Sequence, residues 1–150
     1  QVSVFFPQFS ISQINYSTTC DPGTIRGLHY QIKPASEAKL ISCCRGSVFD
    51  VVVDIRRNSP TFLKCFSITL TAKKPEALFV PEGFAHGFQA LERNSELFYL
   101  HSANYDETLA RALNPFDPAF SIAWPLPPLK VSKKDQNQDF IQSEFAGVEI

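Results

Sequence analysis

The chain carries three histidines, His29, His86 and His101, and the residues around each decide what its imidazole could do. His29 lies in GTIRGLHYQ (23–31), with Arg26 three residues before it and Lys39 ten residues after it. Imidazole changes charge near neutral pH, so His29 is a candidate proton acceptor, a candidate metal ligand, or a core residue whose ring nitrogens are satisfied. A metal site needs three or more converging ligands. Tyr30 and Gln31 follow His29, so the His-x-His pair common in metal-binding barrels is missing. His86 and His101 stand far apart with no paired carboxylate at the expected place, and the four cysteines (Cys20, Cys43, Cys44, Cys65) show no CxxC spacing. The expectation is a site without metal.

Acid–base chemistry needs a base, a cation to stabilise the developing negative charge, and a proton donor. His29 suits the first role and Lys39, at the start of an apolar run, the second. Tyr99, in SELFYLH (95–101), would share a strand face with Leu97 and His101, where its phenol could return a proton or simply line a barrel wall. Arg26 poses a geometric condition. Residues three apart on a straight strand face opposite sides, so Arg26 and His29 share a pocket only if Gly27 permits a bulge.

These residues have to be positioned by β structure. SVFDVVVDI (47–55) alternates, with Phe49, Val51, Val53 and Ile55 on one face and Val48, Asp50, Val52 and Asp54 on the other. FLKCFSITL (62–70) alternates too, placing Phe62, Phe66, Ile68 and Leu70 together. ALFV, GFAHGFQAL and SELFYLH follow at short intervals, separated by the turn signals RRNSP, AKKPE, PEG and ERNSE. Many short strands with regular turns predict an all-β sandwich or barrel. NPFDPAFSIAWPLPPLK is proline-rich and aromatic and is expected to pack as irregular chain; SKKDQNQDF is expected to open a short C-terminal helix with Ser132 as cap and Asp135 at its third position.

The 150 residues suit a single domain, 1–150, and 44% hydrophobic content argues against disorder. Fourteen phenylalanines and no methionine point to a rigid aromatic core. A net charge of −1 offers no field for nucleic acid, and Lys133 with Lys134 do not make one. No apolar run reaches the ~18 residues of a membrane helix. QVSVFFPQFS has neither the charged start nor the cleavage site of a signal peptide, and without an initiating Met the N-terminal arm reads as short or trimmed. The cysteines are expected to be reduced, mostly buried thiols of a cytoplasmic protein, with Cys43 and Cys44 on opposite faces of a strand.

Three strings, GTIRGLHYQ, AKLISCCRGSVFDVVVDIRRNSPTF and FVPEGFAHGFQAL, in this order and spacing, resemble the dTDP-4-dehydrorhamnose 3,5-epimerase family, over about Gln13 to Asp135. The resemblance implies a cupin jelly roll that has lost its metal, needs no cofactor, works as a homodimer and takes a nucleotide-linked 4-keto-6-deoxy sugar. It implies His29 as base, Lys39 as support for an enolate and Tyr99 as acid. It further implies Arg26 at the diphosphate, Gln13 and Asn15 at the nucleotide, Tyr105 as a second aromatic, and His86 in the substrate site. The late Lys134–Asp135 pair is similar to one whose aspartate orients the base; Asp50, on the polar face of its strand, is the rival orienter. The chain departs from the family in its N-terminal string, which lacks the usual arginine and glutamate. It departs again after Tyr105, where Ala110 and Arg111 fall near a usual glutamate, and in a Gln13–Arg26 spacing one residue longer than usual. These departures leave the nucleotide and the regiochemistry open. The competing readings are a 3-only or 5-only epimerase of a CDP- or GDP-linked keto sugar, and a non-catalytic carbohydrate-binding cupin. Retention of His29, Lys39 and Tyr99 together argues against the last, since binding alone requires no acid and base.

Overall fold

A computed structural model describes residues 9–150; the arm read as short or trimmed falls mostly on residues 1–8, outside the described residues. The strands are β1 (Gln13–Thr19), β2 (Thr24–Gln31), β3 (Lys39–Arg45), β4 (Ser47–Asp54), β5 (Cys65–Thr71), β6 (Ala77–Val80), β7 (Phe84–Ala90), β8 (Ser95–His101), β9 (Ala110–Ala112) and β10 (Lys130–Val131), followed by α1 (Lys133–Gln136). They form one sheet ordered β1-β8-β3-β6 and a second ordered β10-β2-β7-β4-β5, with β9 also paired to β2. The strand pairings are antiparallel except β10 on β2. The all-β expectation holds. β1, β9 and β10 carry too few apolar residues to have stood out in the sequence.

β4 shows why both faces of a strand can be buried. Val48 and Val52 point between the sheets and pack with Ile41, Leu70, Phe88 and Leu97. Val51, Val53 and Ile55 point outward, yet they are covered by Leu113 and Phe120 and flanked by Trp124. The cover is the proline-rich tail, which runs as irregular chain. Gln89 of β7 anchors it: its side-chain amide donates to the Leu126 carbonyl (2.8 Å) and accepts from the Leu126 N–H (2.9 Å). The Trp124 indole donates to the Pro115 carbonyl at 3.0 Å, so its polar edge is satisfied inside this apolar layer.

Two expectations need correction. Residues 62–64 are not strand; Thr61–Leu63 form a turn with Leu63 at φ 60°, and β5 starts at Cys65. Phe66 shares a face with Ile68 and Leu70 on the edge strand β5, yet it is 55% exposed whereas Leu70 is buried. Of the four free thiols only Cys43 is buried, with its thiol donating to the Arg45 carbonyl; Cys20, Cys44 and Cys65 are exposed. Cys43 and Cys44 do take opposite faces.

Candidate active site

A cleft of about 1000 Å³ opens between the two sheets. Its first wall is built on β2 and β7. Arg26 pairs with Phe88 and His29 with His86, so Gly27 and Leu28 together oppose the single residue Gly87. This is a β-bulge, and it turns Arg26 and His29 to the same side, both exposed to the cleft. The strands approach closely enough here to require glycine. A Cβ on Gly27, whose φ is 112°, would lie 2.6 Å from the His86 carbonyl, and one on Gly87 would lie 2.7 Å from the Arg26 carbonyl. The bulge also frees amides from the ladder. The Leu28 N–H donates to Leu113, and the Gly27 N–H points to Asp135 Oδ2 at 3.4 Å.

Asp135 reaches this point because α1 places it there. Ser132 caps the helix, and its hydroxyl accepts from the Asp135 N–H at 3.0 Å. The buried Asp135 carboxylate then takes His29 Nε2 at 2.7 Å, while the imidazole stays 51% exposed. Burial pushes this carboxyl up, but the hydrogen bond and charge of His29, with Ser132 and Gly27, outweigh it and hold the group below the usual aspartate value. An ionised carboxylate only accepts, so Nε2 carries the proton and Nδ1 keeps the lone pair. Asp50, the rival orienter, is elsewhere: its Oδ1 accepts from His86 Nε2 at 2.8 Å in a buried pair, and its Oδ2 has no hydrogen-bond partner among the described residues.

The opposite wall is built on β3 and β8. Tyr99 faces the cleft with Leu97 and His101 on its own side of β8, as the alternation requires. Burial pushes the Tyr99 phenol up, the Asp50 charge adds to the effect, and the Ser17 hydroxyl and the Arg26 charge oppose it. The Tyr99 ring meets the His86 ring edge-on at 6.1 Å and stacks on the His101 ring at 5.8 Å. Lys39 is buried, its ammonium 3.1 Å from Glu37 Oε1, and Glu37 Oε2 accepts from His101 Nδ1 at 2.7 Å. All three histidines thus carry carboxylate partners, contrary to the expectation for His86 and His101. Each pair is separate, and among the described residues no three His, Cys, Asp or Glu side chains form a metal-binding group.

The model of the dTDP-4-dehydrorhamnose 3,5-epimerase family matches residues 4–143. The chain belongs to this family. It is 41% identical over 124 residues to the dTDP-4-dehydrorhamnose 3,5-epimerase of Shigella flexneri, covering 82% of this chain and 68% of that one. It spans as little as 57% of other curated epimerases that it matches. Among solved structures, the dTDP-6-deoxy-D-glucose-3,5-epimerase of Legionella pneumophila, in complex with dTDP-4-keto-L-rhamnose, superposes with a TM-score of 0.89 at 31% identity. The match covers 99% of this chain and 80% of that one. A 3'-monoepimerase from Streptomyces bikiniensis, solved with dTDP-quinovose, gives 0.84 at 32%, covering 93% and 73%. The two-sheet fold is therefore the cupin jelly roll of these epimerases.

The residues singled out by the family resemblance line one cleft, with two exceptions. His29, Lys39, Tyr99, Asp135, Arg26, His86, Asn15, Tyr105 and Lys134 all line it. Asp50 lies behind His86. Gln13 is set back as well: its side chain donates to Asn15 Oδ1 (2.9 Å) and accepts from the Tyr105 N–H (2.8 Å), tying two lining residues together. Arg26 Nη2 donates to the Thr18 carbonyl at 3.3 Å. Glu37, His101, Phe88 and Arg111 also line the cleft and were missed. Glu37 sits in PASEA, a loop with no periodicity, and nothing local marks it. For the Asp50–His86 pair a signal existed: a carboxylate between Val48 and Val52 on a buried face must find a partner.

Proposed function

We propose that this chain is a nucleotide-sugar epimerase that inverts C3, C5 or both of a dTDP-4-keto-6-deoxyhexose. One observation carries the reading: the His29–Asp135 pair and Tyr99 stand on opposite sheets across a single cleft, with Lys39 on the same wall as Tyr99. A C4 ketone acidifies the protons at C3 and C5, because loss of either gives an enolate. His29 takes such a proton on Nδ1, and the ionised Asp135 stabilises the imidazolium. The Lys39 ammonium offsets the charge growing on the C4 oxygen, an effect strengthened where water is scarce. Tyr99 then delivers its proton to the opposite face of the sugar, which inverts the carbon, and solvent restores both groups. A phenol pushed up by burial stays protonated at neutral pH and serves as donor.

Arg26 and Lys134, exposed at the mouth, suit the diphosphate; Asn15, held by Gln13, and Tyr105 suit the nucleoside. The reaction needs no metal or cofactor. We further infer a cytoplasmic homodimer. Its support is β1, an edge strand bearing exposed Ile14 and Tyr16 beside the cleft, with Ile11 just before it. No helix of the described residues is long and apolar enough to cross a membrane. Similarity to the Streptomyces bikiniensis monoepimerase makes inversion at C3 alone the second reading.

Incubation with dTDP-4-keto-6-deoxyglucose in D₂O, followed by NMR of the sugar, tests both. Deuterium at C3 and C5 is the expected result; deuterium at C3 alone supports the second reading, and none at either carbon rejects epimerisation. A chelator is expected to leave the rate unchanged, and a loss restored by one divalent ion would overturn the metal-free mechanism.

A further inference from the structure

Lys39 and Tyr99 are each packed against a further ionisable side chain, Glu37 and His101. Glu37, Lys39 and His101 form a nearly buried trio, each side chain at most 10% exposed. One carboxylate serves both cations, Oε1 toward the Lys39 ammonium and Oε2 toward His101 Nδ1. The backbone holds this arrangement closely. Lys39 and His101 are register partners in the β3–β8 ladder, the Ser102 N–H donates to the Ala38 carbonyl at 3.0 Å, and the Ala38 N–H donates to the Ser102 hydroxyl at 2.7 Å. Segment 37–39 is therefore fixed alongside 101–102.

His101 is not an ordinary satisfied core histidine. Its Nδ1 is committed to Glu37, its Nε2 is buried with no hydrogen-bond partner among the described residues, and its ring lies against the Tyr99 ring at an interplanar angle of 21°. A buried ring satisfied on one side only is an exception among buried polar groups. With a neutral imidazole the trio has no net charge. With a proton on Nε2 the same trio is cationic, next to the ammonium that faces the developing enolate.

We propose that Glu37 and His101 are positioning residues for the reaction. Glu37 fixes the Lys39 ammonium and the His101 ring together, His101 supports the face of Tyr99, and the proton on His101 sets the net charge of this corner. The inference rests on the epimerase reading. Other groups face the trio and contribute to the same field. On β8 there is Tyr99 itself; on β1, the neutral Gln13 opposite His101. From the second sheet, His86 stands edge-on to Tyr99, and Arg26 and Asp50 act on the phenol through their charges.

The test uses the full chain with the dTDP-4-keto sugar. Glu37→Gln keeps the size of the side chain and removes its charge. The expected result is a kcat lower by up to ~10²-fold with KM within about threefold, since Glu37 acts through Lys39 and not on the substrate. The alkaline limb of the kcat–pH profile should also move to lower pH, because a buried ammonium without its counter-charge gives up its proton more readily. An unchanged kcat, or a uniform fall with the limb unmoved, overturns the inference. A second measurement requires no turnover and no stable Glu37 variant: ¹H–¹⁵N NMR of the histidine rings in the wild type and in Lys39→Gln. With Lys39 neutralised, Glu37 serves His101 alone, and the ring ¹⁵N and ring-proton shifts of His101 should change while those of His29 stay where they are. Unchanged His101 shifts overturn the coupling. Absence of deuterium exchange in the wild type would sink the epimerase reading instead, and the NMR result would still decide whether the trio is coupled.

Discussion

His29 and His86 are register partners across the β2–β7 ladder, and each gives Nε2 to a carboxylate, at 2.7 and 2.8 Å. In hydrogen bonding they are near copies. They differ in where the carboxylate comes from and in what the ring can reach. Asp135 arrives from a four-residue helix 106 positions later and leaves His29 half in the cleft; Asp50 arrives from the neighbouring strand β4 and leaves His86 and itself almost without solvent. The bulge at Gly27 creates the difference by lifting His29 out of the sheet, whereas His86, opposite a regular β4, stays in it. One pair is therefore free to exchange protons with a ligand, and the other holds the His86 ring edge-on against Tyr99 of the opposite wall.

The largest effect that would break this comparison is on catalysis. His29→Ala should lower deuterium exchange at every sugar carbon by ~10²–10⁴-fold, with the folded state retained, because a half-exposed ring contributes little packing. Exchange at the wild-type rate would move the base elsewhere. The converse effect belongs to the buried pair. Asp50→Ala strands His86 in a dry environment and should cost about 3 kcal/mol or more in urea denaturation. Asp135→Ala, whose partner remains in contact with water, should cost distinctly less while losing most activity. Equal stability losses would mean that exposure does not separate the two pairs.

The alternation of β4, the short β6–β8 strands and the irregular proline-rich tail were legible because each is a local pattern. Ser132 and Asp135 were legible for the same reason, as a helix cap and its third residue. The Gly27 bulge could be posed as a condition, since a glycine between two polar residues on a strand permits one, but only the register with Gly87 decides it. The edge position of β5 depends on strand order and has no local trace. Glu37 was invisible because its partner His101 lies 64 positions away and its own loop has no period. Neither His86 nor His101 has a carboxylate at a metal-binding spacing; strand β4 delivers Asp50 to His86, and the loop before β3 delivers Glu37 to His101.

A subtler effect separates the two walls of the cleft. Tyr99→Phe keeps the ring against His86 and His101 and removes only the hydroxyl. His29 can still take a proton and return it to the same face, so solvent exchange should persist within about tenfold of the wild type while inverted product falls by ~10²-fold. Unchanged inversion would assign the acid to water or another group and leave Tyr99 as a wall residue.

The smallest effect reads the His29–Asp135 pair through stability alone. The folded Asp135 carboxyl is held below its ordinary value of 3.8, chiefly by His29 against the upward push of burial. Below 3.8 the unfolded chain takes up this proton first, so in that range stability rises with pH. The contribution of Asp135 is complete above 3.8 and is lost as pH falls through the lower folded value. Several other carboxylates titrate in the same window, Glu37 and Asp54 among them, so the wild-type curve alone cannot isolate it. The difference between wild type and Asp135→Asn can, once read below about pH 5 where both proteins hold His29 protonated: it should narrow as pH falls below 3.8. Repeating the comparison in a His29→Phe background removes the principal favourable partner, and the pH-dependent part of the difference should then shrink. If the narrowing is the same with and without His29, the carboxylate is held by Ser132 and Gly27 instead. The resemblance between the two pairs would then stop at their distances.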